Sequence, residues 1–189
     1  MGKKNRQSIV ALALITAICL AGDAMLYIVL PIHWNGVGLN SLIEVGVLLS
    51  INRFVRLPLN PVVGFLYKKV SFRTGITLAV FLSGITTIGY GLASDFSIWV
   101  ILRSLWGVAW SLFKLGAFLF IMHLSTDDNR GVNMGTYNGL YRLGSLVGML
   151  IGGILVDLIG LKVIILFLGI AVFITIPFIY RYIPKSISG

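Results

Sequence analysis

Six apolar runs divide this chain, and each is long enough to cross about 30 Å of hydrocarbon as a helix. They lie near Ile9–Pro31, Ile43–Tyr67, Thr74–Ala93, Ile98–His123, Met134–Ile159 and Val163–Ile183. A backbone in lipid must satisfy its own polar groups, which leaves helices as the solution for runs of this kind. The expectation is an all-α membrane protein, a single six-helix transmembrane bundle over residues 1–189. Composition agrees, with 58% hydrophobic residues, 11% charged residues and a mean hydropathy of +0.99. The first run is too long for a cleavable signal peptide and ends at Pro31 without a small-x-small site. The net charge of +9 does not point to nucleic acid, because the basic residues punctuate apolar runs instead of gathering on a solvated face.

Lys and Arg in the short connections set orientation. Lys3, Lys4 and Arg6, then Lys68, Lys69 and Arg73, then Arg130, then Arg181 and Lys185 all fall on one side. Lys162 stands alone on the other. Both termini are therefore expected in the cytoplasm, with the chain multi-pass in the cytoplasmic membrane. Five basic residues remain inside the apolar runs: Arg53, Arg56, Arg103, Lys114 and Arg142. The lone Cys19 excludes an intramolecular disulfide. Ser41 and Glu44 have capping-box spacing at the start of the second run, so Glu44 reads as structural.

The chain partly repeats itself. At an offset of 89 residues, Gly64–Arg73 (GFLYKKVSFR) aligns with Gly153–Lys162 (GILVDLIGLK), and Arg53 falls on Arg142. Three helices per repeat is an odd number, so the copies, residues 9–93 and 98–183, must be inverted in the membrane. Inverted three-helix repeats are a building unit of secondary transporters.

These stretches resemble the major facilitator superfamily, specifically its N-terminal six-helix half. LRSLWGVAWS (Leu102–Ser111) is similar to the family's fourth helix, with an arginine, a glycine four residues on, and small residues after it. GFLYKKVSFR, with Gly64, Lys68, Lys69 and Arg73, occupies the place of the cytoplasmic signature loop. RLGSLVGMLIGG resembles the glycine-ridged fifth helix, and NRGVNMGTYNG its lead-in. Three positions depart from the pattern. Lys68 stands for aspartate and Ser71 for glycine in a loop that helps latch the family's two halves. Met149 follows Gly148 where the antiporter version has proline. The resemblance implies alternating access by rocking of two six-helix units, and six helices imply a second unit, either a separate half or a homodimer.

Helical geometry places the polar residues at about 100° per residue. Arg103, Trp110 and Lys114 lie within about 20° of one line on the fourth helix. Arg53, Arg56 and Asn60 share a face of the second, and Thr16, Cys19, Asp23 and Tyr27 a face of the first. On the fifth, Asn138, Arg142, Ser145 and Met149 form a stripe opposite Gly144, Gly148 and Gly152, a ridge suited to close helix packing. In the family, helices one, two, four and five border the central cavity, so these polar stripes are assigned to a water-accessible pathway. The competing assignment is anchoring at the headgroups by snorkelling.

Depth pairs Asp23 with Arg103, which differ by roughly 5 Å along the membrane normal. The pair reads either as a switch that couples protonation to movement or as a static neutralisation of Arg103. Arg53, Arg56, Lys114 and Arg142 then lack acidic partners. They attract an anionic substrate, or they meet carboxylates on the second unit. The expected function is secondary active transport of a small solute, with proton coupling and no other cofactor. The alternative is a truncated or non-transporting remnant acting as a membrane interaction protein. Enzyme chemistry is not expected, since His33 and His123 lie at helix ends and no second buried carboxylate accompanies Asp23. Clustered metal ligands are lacking in the sequence.

Overall fold

The computed structural model describes residues 3–185; the extreme termini, and with them the ends of the expected 1–189 unit, lie outside the described residues. The chain folds into α1 (Lys3–His33), a short 3-10 turn (Trp34–Val37), α2 (Leu42–Tyr67), α3 (Phe72–Tyr90), α4 (Phe96–Leu124), α5 (Arg130–Ile159), α6 (Leu161–Ile174) and α7 (Ile176–Tyr182). The sixth run is not one helix. It breaks at Thr175, two residues before Pro177, whose ring cannot continue the preceding helical turn. The Thr175 hydroxyl bonds back to the Val172 carbonyl at 2.6 Å and satisfies one group at the break. The second run also departs from expectation. Among the described residues five segments are long and apolar enough to cross a membrane, and α2, with two arginines and two prolines, is not one of them.

Local signals fix the helix starts. Ser41 caps α2 by accepting from the Glu44 amide at 3.3 Å, and Glu44 reaches back to the Asn40 amide at 2.8 Å. That is the expected box with its return bond shifted one residue outward. Ser71 and Asp95 cap α3 and α4 in the same manner. Between α5 and α6 the connection is Gly160 alone, at φ 87°, a conformation glycine adopts without steric cost.

Packing follows a cross-paired pattern. The broadest contacts are α1 with α5, α2 with α4, α3 with α4, and α3 with α6. The glycine ridge of α5 is used up inside the chain: Gly144 meets Ala17, Gly148 approaches Ala21, and Gly152 packs on Met25. A Cβ at Gly148 would lie 2.9 Å from the Ala21 Cα, so the two backbones exclude any side chain there. The ridge is therefore not free to receive a neighbouring subunit.

Two apolar clusters stack along the bundle. One holds Leu20, Trp106, Phe113, Phe120 and Tyr137; the other holds Met25, Leu26, Leu102, Trp99 and Val156. On α1 the first cluster ends at Leu20 and the second begins at Met25, with Asp23 in the gap. On α4 the clusters part between Leu102 and Trp106, with Arg103 in the gap. On α2 they part between Leu48 and Val63, the interval that holds Arg53 and Arg56. A polar layer thus separates two dry cores.

Candidate functional site

The polar layer is built on α2 carbonyls. Arg103 Nε donates to the Leu48 oxygen at 3.0 Å, Tyr27 Oη to the Leu49 oxygen at 3.3 Å, and Arg56 Nε to the Asn52 oxygen at 3.1 Å. Gly107 makes this possible, because a Cβ there would lie 3.0 Å from the Asn52 oxygen. The glycine four residues after Arg103 lets α4 press onto α2 and carries the arginine to that backbone.

Asp23 and Arg103 meet as the sequence depth suggested. The Arg103 Nη1 group binds the Asp23 carboxylate, and the arginine is wholly buried. The guanidinium carbon also lies 5.8 Å from the centre of the Tyr27 ring. Arg103 Nη2 is left without a partner among the described residues, as is the hydroxyl of buried Tyr90. A closed pair of this kind holds its partners in place and makes removal of either one costly.

Beside the pair opens a hollow of about 460 Å³, bounded by Asp23, Tyr27, Arg53, Arg56, Trp110 and Ser145. That volume lies in the range used by small-ligand sites, about 300–1,000 Å³. Arg56 keeps both terminal nitrogens free of protein partners, and Arg53 is exposed with none of its own, among the described residues. Trp106 and Trp110 stack at 6.1 Å with an interplanar angle of 27°, and Trp110 meets Tyr141 edge-on at 5.7 Å.

The remaining candidates are divided among other places. Asn60 and Lys114 line a second hollow of about 330 Å³ with Tyr137 and Asn138. There Lys114 donates to the Tyr141 hydroxyl at 3.1 Å. Arg142 is exposed and lines neither hollow. The single stripe drawn for α4 is thus cut in three, with Arg103 sealed in the core, Trp110 at the first hollow and Lys114 at the second. Helical phase alone does not show that the bundle closes over Arg103 and opens beside Lys114.

In the signature loop, Lys68 and Lys69 are exposed, and Lys69 lies 4.6 Å from the Phe65 ring centre. Arg73 turns inward and donates to the Ile183 oxygen at 2.6 Å and the Tyr180 oxygen at 3.3 Å. It therefore closes the carboxyl end of α7 instead of projecting from the surface. Gly64 faces Leu115 with room for ordinary contact.

Sequence reasoning missed Asn52 as a site residue. It is buried, borders the first hollow, and its Oδ1 lacks a partner among the described residues. The signal was present in its i, i+4 relation to Arg56. Also missed was His33 Nε2 against Asp157 Oδ1 at 3.1 Å, which joins the C-terminal ends of α1 and α5.

The whole chain superposes on 45% of a bacterial homolog of the human lysosomal transporter Spinster, in an inward-facing, unoccupied conformation. The TM-score is 0.83 at 17% sequence identity, a likeness of fold. The human synaptic vesicular amine transporter is 29% identical over 123 residues, covering 65% of this chain and 24% of that protein. The human chromaffin granule amine transporter is 26% identical over 118 residues, 62% of this chain and 22% of its own length. The chain thus matches about a quarter of these relatives. The profile of the Major Facilitator Superfamily matches residues 12–188, nearly the entire chain. A multi-pass membrane protein with this fold and this match belongs to the Major Facilitator Superfamily.

Proposed function

We propose that the chain is one six-helix unit of a secondary active transporter that moves a small anionic solute by alternating access. The observation that carries this reading is the charge balance of the first hollow. Its one carboxylate, Asp23, is already answered by Arg103, while Arg53 and Arg56 border the space with no acidic partner of their own among the described residues. Guanidinium forks bind carboxylate or phosphate oxygens in bidentate fashion, and the indole of Trp110 supplies a flat wall beside them. A protonated amine, the cargo named for the vesicular relatives, would meet two like charges there.

The packing pattern supports the repeat. Exchanging α1 with α4, α2 with α5, and α3 with α6 turns the α1–α5 contact into α4–α2 and the α3–α4 contact into α6–α1, and leaves α3–α6 unchanged. Each of these contacts exists. A second six-helix unit is proposed to cover the hollow, with complementary carboxylates favoured over a facing copy of the same basic stripe. Lys68, where the family loop carries an acid, likewise calls for an acidic contact on that unit. Coupling is assigned to Asp23: protonation removes the charge that holds Arg103 and frees the α1–α4 contact to rearrange. The excess of Lys and Arg in the connections on one side supports cytoplasmic termini in this reading.

Thermal stabilisation of the purified chain by small carboxylates and phosphate esters, with monoamines as the opposing set, tests the reading. Anions are expected to raise the unfolding temperature, and Arg53→Gln with Arg56→Gln to abolish the shift. Stabilisation by monoamines alone overturns it. Uptake by proteoliposomes containing the Asp23→Asn variant tests coupling, which fails if the pH dependence of uptake is unchanged. Mass analysis in nanodiscs tests assembly; a transport-competent monomer removes the second unit. Single cysteines at Ser71 and Ser97 in a Cys19→Ser background test orientation with an impermeant thiol reagent, position 97 alone being expected to label on intact cells.

A further inference from the structure

On the outer side of the bundle, α1 and the broken pair α6–α7 leave a groove of about 730 Å³ that shares no residue with either polar hollow. Its walls are Val10, Leu14 and Ile18 on one side and Ile174 and Phe178 on the other. Ala11 and Ala171 face into it, and their small side chains keep the helices from filling the space. From Arg6 to Ile18 helix α1 rises about 18 Å, close to half of the roughly 30 Å hydrocarbon thickness. The groove therefore has the depth of one leaflet, from the headgroups to the midplane.

Its mouth is a built structure. The Ser8 hydroxyl donates to the Tyr182 oxygen at 2.7 Å, and the two Arg73 bonds fix the end of α7 against α3. Arg6 lines this mouth, is exposed, and has no protein partner among the described residues. Arg181 lies next to Tyr182 at the same end. Among the described residues no carboxylate lines the groove. An apolar slot one leaflet deep with an uncommitted guanidinium at its mouth matches an acyl chain below a negatively charged headgroup. The geometry points to a bound anionic phospholipid, its headgroup at Arg6 and one acyl chain in the α1–α6–α7 groove. Basic side chains at the headgroup level favour anionic over zwitterionic lipid by charge, and the apolar walls hold the chain irrespective of headgroup.

Native mass spectrometry of the intact chain, released from detergent with added phosphatidylglycerol or phosphatidylcholine of equal acyl length, tests the site. The wild-type chain is expected to retain phosphatidylglycerol about fivefold better, the worth of one basic residue at an anionic surface. Arg6→Gln should erase that preference and leave phosphatidylcholine retention unchanged. Ala11→Phe and Ala171→Phe, which fill the slot from opposite walls, should lower retention of both lipids. Equal retention of the two lipids by the wild-type chain overturns the proposal. So does undiminished phosphatidylglycerol binding in both phenylalanine variants, which marks only annular lipid. Should a phenylalanine variant fail to elute as a single species, the Arg6→Gln comparison decides the matter alone.

Discussion

Arg103 and Arg56 occupy facing helices in the same polar layer, and their surroundings differ in almost every respect. Arg103 has Asp23, the Leu48 carbonyl and a Tyr27 ring around it, and no solvent. Arg56 spends one nitrogen on its own helix and turns the rest toward open space beside Arg53. The first arrangement binds α1, α2 and α4 together. The second leaves donor groups unspent at the wall of a hollow. The two arginines thus differ in what surrounds them, a buried carboxylate and carbonyl for Arg103 and an open hollow for Arg56, and sequence position alone does not separate the two.

The largest expected effect breaks the first of these arrangements. Arg103→Leu leaves the Asp23 charge buried and unpaired, at a cost of about 3–5 kcal/mol. Denaturant unfolding in micelles should show it, and the double variant Asp23→Leu with Arg103→Leu should recover most of the loss. Equal destabilisation in the single and double variants would mean that packing, not charge, is what Arg103 supplies. A smaller effect comes from α5, which shows the same contrast between its own two sides. Gly148→Leu forces a side chain into the Ala21 backbone and should cost about 1–3 kcal/mol, loosening α1 from α5. A wild-type unfolding curve for that variant contradicts the close contact.

Arg56→Gln tests the other side of the comparison. Its stability should stay near wild type while anion-induced stabilisation falls about tenfold in midpoint concentration, as expected for a lost charge-assisted bond worth about 1.5 kcal/mol. Loss of fold without any change in anion binding would reverse the roles assigned to Arg103 and Arg56. The smallest effect belongs to Arg142→Gln, which should stay within about 0.5 kcal/mol of wild type and leave anion binding unaltered. A change in anion affinity at Arg142 would extend the site beyond the first hollow.

Much of the architecture was legible because lipid enforces it. Long apolar runs become helices, and residues such as Ser41, Ser71 and Asp95 mark where they begin. The Asp23–Arg103 meeting was legible from depth, since a helix converts residue count into distance. What the sequence hid depends on neighbours. Nothing in the spacing of Gly144, Gly148 and Gly152 tells whether α1 or another subunit takes the ridge. Arg73 reads as a surface charge until α7 turns its carbonyls toward it. Lys114 shares a helical line with Arg103, but the line runs from a sealed core into a second hollow.

The shortfall of α2 in apolar character also bears on how the protein enters the membrane. Each arginine at the centre of a helix costs about 2.5–3.5 kcal/mol at insertion. Two of them, with Pro58 and Pro61, leave α2 a poor passenger by itself. The strongly apolar α1 precedes it and is joined to it by a short connection. Insertion of α2 is therefore expected to depend on α1 and α4, the helices that pack against it. In a glycosylation-reporter assay, α2 alone should remain largely uninserted, whereas the full chain carries it across. The groups that give the hollow its charge thus make the biogenesis of α2 depend on its neighbours.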